Sequence, residues 1–215
     1  VVGARMITII LYVDDILIMS EHKEDIGRLI KVLTDKWEEV TVETGKEFTY
    51  LGTGVTVRDD HISLSMGKYI DDILASYFGA ESAKTSIRTY STPAAGDLFE
   101  EPEGELLTES MKKRFHTTVA MLLYLSKRTR IDIQLATLFL CTRVREPSES
   151  DQKKLERVLG YLRRTRNKNR ILTCSMPKMK QVVAYVDASF AVHYDAKGHS
   201  GLVSMYQGCI IDSEC

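Results

Sequence analysis

An apolar segment near the start of the chain, MITIILYVDDILIM (residues 6–19), carries two adjacent aspartates at its centre. Isoleucine, valine and tyrosine favour strands, and aspartate is a common turn former. The segment therefore predicts a β-hairpin, with one strand on each side of a tight turn at Asp14 and Asp15. This hairpin is the feature around which the rest of the chain is interpreted.

The apolar flanks predict an unfavourable environment for the two carboxylates. Neighbouring carboxylates repel each other, and each loses hydration against the apolar residues on both sides. Between Arg5 and Lys23 there is no lysine or arginine to neutralise them, so a hard divalent cation with oxygen ligands fits best. The alternative is a solvated turn, because Asp-Asp also occurs at residues 59–60 and 71–72 in polar surroundings.

The remaining segments predict a mixed α+β chain. A helix of about 18 residues with Ser20 as its N-cap follows the hairpin. EFTYLGTGVTVRDDHISLS predicts two strands joined by a turn at residues 58–61, and GKYIDDILASYFG predicts a short amphipathic helix that ends at Gly79. We expect a loop or linker at 80–109, helices near 110–128, 132–145 and 148–166, short strands from 170, and a domain boundary near 170–178 at Pro177.

The net charge of −1 conceals a strong segregation of charge along the chain. Residues 97–109 contain six acids and no base, residues 111–130 contain six bases and no acid, and residues 152–170 contain eight bases and one acid. Because local fields rather than the total charge select a partner, the sequence is compatible with a polyanionic partner.

The four cysteines form no C-x-x-C pair, which favours reduced thiols in an intracellular protein. His193, His199, Cys209 and Cys215 match no common zinc spacing, so no zinc site is predicted. No apolar run reaches the roughly 18 residues of a membrane helix, and no membrane partner is expected. The chain begins inside a strand-like segment, and we interpret it as a piece of a longer polypeptide.

Seven segments follow one another in an order that is more specific than any of them alone. They are YVDDILI, FTYLGTGV, ISLSMGKYIDDILASYFG, STP, FHTTVAMLLYLSKRTRIDIQLAT, KKLERVLGYLRRTRN and AYVDASFAVHYDAKGHSG. In this order they resemble the reverse transcriptases of copia-type long-terminal-repeat retrotransposons, over nearly the whole chain. Ala120 and Ile131 depart from the family pattern, which usually has Gly and Pro at these positions.

The resemblance implies a partial polymerase palm with primer-grip-like strands at 1–66, thumb and connection helices at 67–170, and the first strands of an RNase H-like domain at 178–215. The implied activity is RNA-directed DNA polymerisation by two-metal catalysis, with Mg²⁺ or Mn²⁺ as the cofactor. The implied partners are an RNA or DNA template–primer, deoxynucleoside triphosphates and the other domains of a polyprotein. The implied location is a cytoplasmic particle or the nucleus.

The resemblance also implies roles for individual residues. Asp14 would be a metal ligand of the polymerase site and Asp15 its less directly coordinating neighbour. Tyr12 would line the primer end, Val13 would form the turn, and Leu51 and Gly52 would form the primer-grip turn. Asp187 would be the first metal-binding carboxylate of the ribonuclease H site.

The basic residues predicted to contact the nucleic-acid backbone are Lys127, Arg128, Arg130, Arg157, Arg163, Arg164 and Arg166; the alternatives are helix-end charge pairing and a solvated helix face. The family's chemistry needs another aspartate, expected before Val1, and further ribonuclease H acids, expected after Cys215. We therefore expect no catalysis from these 215 residues alone. The alternative function is a vestigial or non-catalytic nucleic-acid-binding protein.

Overall fold

The computed structural model of the chain describes residues 5–37, 39–80, 88–173 and 180–215. Within these ranges the chain is a mixed α+β protein, as predicted, with five α-helices and small antiparallel sheets. It divides into two compact units, Val1–Thr56 and Val57–Cys215. No helix in the described ranges is both long enough and apolar enough to cross a membrane.

The elements follow one another in a simple order. The strands are β1 (Ile7–Tyr12), β2 (Asp15–Ser20), β3 (Glu47–Tyr50), β4 (Thr53–Val57), β5 (His61–Ser65), β6 (Arg170–Thr173), β7 (Val182–Ser189), β8 (His199–Tyr206) and β9 (Cys209–Glu214). The helices are α1 (Lys23–Lys36), α2 (Gly67–Phe78), α3 (Glu109–Arg128), α4 (Gln134–Arg143) and α5 (Glu149–Arg164), and a 3₁₀ turn (Ile131–Ile133) precedes α4.

The described residues of the first unit form two antiparallel hairpins and one helix. β1 pairs with β2 from Ile7 opposite Ser20 to Tyr12 opposite Asp15, which confirms the predicted hairpin. β3 pairs with β4 from Glu47 opposite Thr56 to Tyr50 opposite Thr53. The two strands predicted for EFTYLGTGVTVRDDHISLS from periodicity are therefore wrong in missing the turn at residues 51–52, where the resemblance does imply a turn.

Helix α1 is shorter than predicted and begins at Lys23, with His22 rather than Ser20 as its N-cap. The Ser20 hydroxyl instead accepts a hydrogen bond from the His22 backbone N–H at 3.2 Å. Asp25 in the first turn is buried and lies 3.3 Å from Arg5, an ion pair that places an acid at the positive end of the helix dipole. Trp37, which the spacing places on the apolar face, is 51% exposed where the helix ends.

Four helices of the second unit share one hydrophobic core. Ile70 and Ile73 of α2, Leu122 and Leu125 of α3, Phe139 and Leu140 of α4, and Leu155, Leu159 and Leu162 of α5 are among its buried members. The apolar residues recur at three- and four-residue spacing, which turns one face of each helix inward. The boundaries agree with the predicted helices to within a few residues.

Local signals set the ends of these helices. Gly79 ends α2 with a φ of +85°, which a glycine adopts without a Cβ clash. At the start of α5, the Ser148 hydroxyl accepts from the Asp151 backbone N–H, and the Asp151 carboxylate accepts from the Ser148 backbone N–H. This capping box satisfies two backbone donors that no intrahelical carbonyl can reach.

The predicted linker packs against α5 at several points. Residues 81–87 of it lie outside the described ranges, and residues 88–108 contain no helix and no strand beyond one isolated bridge between Leu106 and Ser148. Segment 88–92 passes so close to α5 that a Cβ added to Gly160 would lie 2.2 Å from the Arg88 carbonyl oxygen. Only a glycine allows this approach between backbones.

The remaining strands form two antiparallel sets in the second unit. β5 pairs with β6, from His61 opposite Thr173 to Leu64 opposite Arg170. β8 lies between β7 and β9 and pairs with both. The predicted boundary at Pro177 falls in residues 174–179, outside the described ranges.

Candidate functional site

The β1–β2 turn holds its residues in an uncommon conformation. Tyr12 and Asp15 form the last pair of the hairpin, so Val13 and Asp14 are the two turn residues. Val13 has a φ of +54°, a value that a β-branched residue adopts only at a cost of about 1–3 kcal/mol. Glycine is the usual residue at the first position of such a turn. Strained positions of this kind cluster at functional sites.

Asp14 and Asp15 are both exposed to solvent. The enclosing apolar environment expected from the sequence is absent, since Ile10, Tyr12 and Ile16 are 44%, 56% and 40% exposed. The reason is architectural: among the described residues β1 and β2 pair only with each other, and a two-stranded ribbon leaves both of its faces to be covered by other elements. The desolvation argument for a cation therefore does not hold in this structure.

The exposure of the pair favours the alternative of a solvated turn, and the structure supplies no basic partner for it among the described residues. In the described part of the chain, no Lys, Arg or His side chain forms an ion pair with Asp14 or Asp15, and Arg5 pairs with Asp25 instead. Nor do three or more His, Cys, Asp or Glu side chains of the described residues gather into a potential metal site. Two exposed carboxylates without a third ligand fit Mg²⁺ or Mn²⁺ shared with substrate phosphates, and do not fit a closed all-protein site.

The second predicted turn of the same unit, between β3 and β4, also has an unusual backbone. Leu51 and Gly52 both have positive φ, +49° and +72°. This is the pattern of a tight two-residue hairpin turn that twists its strands correctly. Leu51 is half-buried and Gly52 is exposed, so the turn presents backbone rather than large side chains to solvent.

Asp187 lies in β7 opposite Gly201 and is exposed. Its carboxylate accepts a hydrogen bond from the Ala188 backbone N–H at 2.9 Å. The structure brings His193 of the β7–β8 loop close to His199, the first residue of β8, with Nε2 of the first 3.3 Å from Nδ1 of the second. Neither group is part of a metal site among the described residues.

Most of the basic residues predicted to contact the nucleic-acid backbone instead form contacts within the protein. Arg166 Nε donates to Asp71 Oδ1 at 2.6 Å, and Lys127 Nζ donates to the Ser213 carbonyl at 3.1 Å. Arg128 is half-buried over the ring of Tyr124 at 5.1 Å. Arg163 is half-buried as well.

Arg157 and Arg164 differ in their surroundings. Arg157 stacks over Tyr90 at 4.8 Å and donates to the Thr92 hydroxyl at 2.9 Å. Arg164 is exposed, and within the described ranges it makes neither a hydrogen bond nor an ion pair. Arg164 therefore best fits the predicted contact with a polyanion.

Arg130 is 1% exposed and cannot serve as a surface contact, so of the two alternatives for this residue the structure supports charge pairing. Its guanidinium donates to both carboxylate oxygens of Asp132 at 2.9 Å, and to the Thr165 carbonyl and hydroxyl. Tyr161 and Lys168 also donate to Asp132, at 2.6 and 3.1 Å. Burial raises the pKa of Asp132, but the hydrogen bonds from Arg130 and Tyr161 outweigh it and lower the pKa to about 2.

No sequence signal located this network, because it joins residues up to 36 positions apart. Arg130 and Asp132, two positions apart, are the one pair of this network that is close in the sequence. The two positions that depart from the pattern of the resemblance lie outside this network of hydrogen bonds. Ala120 lies on the exposed side of α3, and Ile131 opens the 3₁₀ turn that presents Asp132 to Arg130.

Among known proteins, the chain is similar to a plant mitochondrial protein. The chain is 28% identical over 157 residues to "Uncharacterized mitochondrial protein AtMg00810" of Arabidopsis thaliana, a match that covers 73% of this chain and 61% of the relative. No family profile matches the chain, and no solved structure matches it. The chain spans about three fifths of the length of that relative, and the relationship joins it to a protein whose name states no activity.

Proposed function

We propose that this chain is part of an RNA-directed DNA polymerase of the copia type, and that the β1–β2 turn is half of its metal-binding catalytic site. The observation that carries the proposal is the turn itself. Two adjacent exposed carboxylates follow a strained Val13, and no cation of the described residues neutralises them. A pair of this kind is suited to an ion that arrives with substrate phosphates.

In this proposal Asp14 holds the metal ion, with Asp15 beside it, and Tyr12 lines the primer end. The backbone of the turn at Leu51 and Gly52 contacts the primer strand, because no large side chain at the turn keeps the strand away. Such an ion, when bound, supplies charge stabilisation for phosphoryl transfer and activates the primer hydroxyl. The three antiparallel strands β7–β9, with Asp187 on the first, are proposed as the opening strands of an RNase H-like domain.

The metal-binding half of the proposal is tested on the 215-residue chain by Mn²⁺ titration and amide NMR spectra. Mn²⁺ should broaden the signals of residues 12–16 selectively, and Asp14→Asn should abolish that effect. Asp59→Asn is the matched control, because Asp59 belongs to an exposed Asp-Asp turn of the second unit. Equal broadening at both turns, or none at residues 12–16, would contradict the proposal.

The polymerase half is tested on a polypeptide that joins this chain to the upstream polymerase segments implied by the resemblance. It should extend a primer on an RNA template with Mg²⁺, and Asp14→Asn should reduce the rate by about 10³-fold or more, since removal of a metal ligand removes a large part of the electrostatic stabilisation. Retained activity in the Asp14→Asn variant would overturn the assignment.

A non-catalytic nucleic-acid-binding protein is the second candidate. The lack of a third acid near Asp14 among the described residues favours it. If this second candidate is right, the chain binds a nucleic-acid duplex, and the binding affinity falls as the salt concentration rises and in the Arg164→Glu variant. The Asp14→Asn substitution and added Mn²⁺ leave that affinity unchanged. Binding that depends on Mg²⁺ through Asp14 separates the first candidate from the second.

A further inference from the structure

The loop between β7 and β8 is docked on the helical core of the second unit through aromatic and polar contacts. The backbone N–H of Tyr194 donates to the Phe99 carbonyl at 3.1 Å, and the Tyr194 hydroxyl accepts from Arg143 of α4 at 3.0 Å. The ring of His193 lies 4.6 Å from that of Phe99 and is stacked at 5.8 Å from that of Phe139. A small number of contacts around His193 therefore hold the loop in place.

His199, the first residue of β8, completes this cluster. Its ring lies 5.5 Å from that of Phe99, and its Nδ1 lies 3.3 Å from Nε2 of His193. Its other ring nitrogen, Nε2, is buried and has no hydrogen-bond partner in the described part of the chain. A proton on that nitrogen would bury a donor without an acceptor, which is unfavourable. The proton of a neutral His199 therefore belongs on Nδ1, from which it donates to His193.

This arrangement has no place for a further proton. A charged imidazole is a donor at both of its nitrogens. On His199 the added proton would lie at the buried Nε2, and on His193 it would point at the Nδ1–H of its neighbour. The docked loop thus requires both imidazoles to be neutral. In agreement with this geometry, burial lowers the pKa of His199 below its ordinary value of 6.5, and the neighbouring His193 lowers it further.

The cations and acids nearest to the pair are engaged with one another or with an aromatic ring. Arg143, which lines the same cavity as both histidines, is paired with Asp151 at 3.2 Å. Asp195 and Lys197 of the loop form an ion pair at 2.6 Å, and Lys154 of α5 lies over the Phe139 ring at 4.9 Å. Within the described ranges, no carboxylate forms an ion pair with either imidazole.

The other titratable groups around the pair do not supply a compensating charge either. Burial raises the pKa of the Cys141 and Cys215 thiols, which line the same cavity, so neither thiol is charged near pH 6. Asp187 of β7 is exposed, and its carboxylate accepts from the backbone of the next residue. Asp97 and Glu100, close to the stacked phenylalanine in the sequence, are exposed to solvent.

The loop backbone is strained, and the sheet has attachments of its own. Ala191 and Ala196 have φ values of +51° and +60°, which persist only where surrounding contacts impose them. Ser213 of β9 and Gln134 of α4 exchange two hydrogen bonds of 2.8 Å. Loss of the contacts at the histidines would therefore let the loop relax while β9 stays on the helices.

We propose that the β7–β8 loop is a pH-sensitive device, which stays docked while His193 and His199 are neutral and is released when the pair takes up a proton. The released state binds a proton that the docked state excludes. Docking therefore weakens as the pH falls below about 6.5. Release uncovers the rings of Phe99 and Phe139. The proposal does not rest on the catalytic assignment of the hairpin.

The test is amide hydrogen exchange, measured by NMR on the 215-residue chain at pH 7.5 and pH 5.5 and corrected for the intrinsic effect of pH. The protection factor of the Tyr194 amide should fall at least about tenfold, because each pH unit below 6.5 shifts a one-proton equilibrium tenfold. The amides of the β7–β8 ladder should keep their protection. His199→Phe, which keeps a ring and removes the titrating nitrogens, should abolish the fall. The matched control is His116→Phe on the exposed side of α3, which should leave the fall unchanged.

Titration of the imidazole signals in the unaltered chain is the second measurement, and it decides the case if the loop is undocked at both pH values in His199→Phe. The pKa of His199 should lie below 6.5. A pKa at or above that value, constant protection of the Tyr194 amide, or an equal fall throughout the β7–β8 ladder would each overturn the proposal. So would a fall that persists in His199→Phe.

Discussion

The carboxylates of this chain lie in two contrasting settings. In the helical core, Asp132 is held by Arg130, Tyr161 and Lys168, and the buried Asp151 is paired with Arg143 at 3.2 Å. At the β1–β2 turn, Asp14 and Asp15 have no such partner among the described residues. The chain thus neutralises acids where they hold helices together, and leaves a charged pair at a strained turn. Stability places one demand on a carboxylate, and the ion binding proposed for the turn would place the opposite demand on it.

The largest effect should follow from breaking the buried pair. Arg130→Met should lower the free energy of unfolding by about 3 kcal/mol, because it removes the buried guanidinium that donates to the half-buried Asp132 and to the Thr165 carbonyl. Urea unfolding followed by circular dichroism measures the change. The control is Arg164→Met on exposed α5 surface, with an expected change within about 0.5 kcal/mol. Similar losses in both variants would show that Arg130 contributes by general charge rather than by its bonds.

The pH dependence of unfolding should sharpen the same contrast. The pKa of Asp132 is lowered to about 2 from an ordinary value of 3.8, so its contribution is complete above pH 4 and is lost as the pH falls toward 2. The loss amounts to about 2 kcal/mol. Asp132→Asn should be less stable at pH 6 and should show a shallower decline from pH 4 to pH 2. Parallel stability curves for the two proteins would contradict this account.

The smallest effect is expected at the turn. Asp14→Asn should change the free energy of unfolding by less than about 0.5 kcal/mol, since an exposed carboxylate without a partner contributes little. A slight gain is the favoured direction, because the substitution removes repulsion from Asp15. The same urea experiment measures it. A loss above 1 kcal/mol would mean that Asp14 has a structural role and would erase the difference between the two regions.

Periodicity was sufficient to predict the helices of the second unit and the β1–β2 hairpin, since both arise from local patterns. It failed at Leu51 and Gly52, where the division into two strands depends on two consecutive positive φ values. It also failed for the flanks of the hairpin. Alternating apolar residues show which face of a strand would favour burial, but they do not show whether another part of the chain packs against that face.

The candidate site was predicted unevenly for the same reason. Asp14 and Asp15 are sequence neighbours, so their proximity in the turn could be foreseen. Arg130 could not be distinguished from Arg164 by sequence, because only its tertiary partner Thr165, 35 residues away, reveals that it is buried. A run of basic residues in the sequence includes residues on every face of a helix, whereas only the residues on the exposed face can contact a partner.

Gly160 has a consequence for how substitutions in α5 will be tolerated. Glycine is the poorest ordinary residue for a helix interior, and replacement by alanine normally adds about 1 kcal/mol of stability. At this position a methyl group would collide with the Arg88 carbonyl oxygen, and segment 88–92 would have to move. A choice of stabilising substitutions by helix propensity alone would therefore select Gly160→Ala first. That substitution would displace segment 88–92 and, with it, the Arg157 guanidinium that donates to Thr92 in this segment.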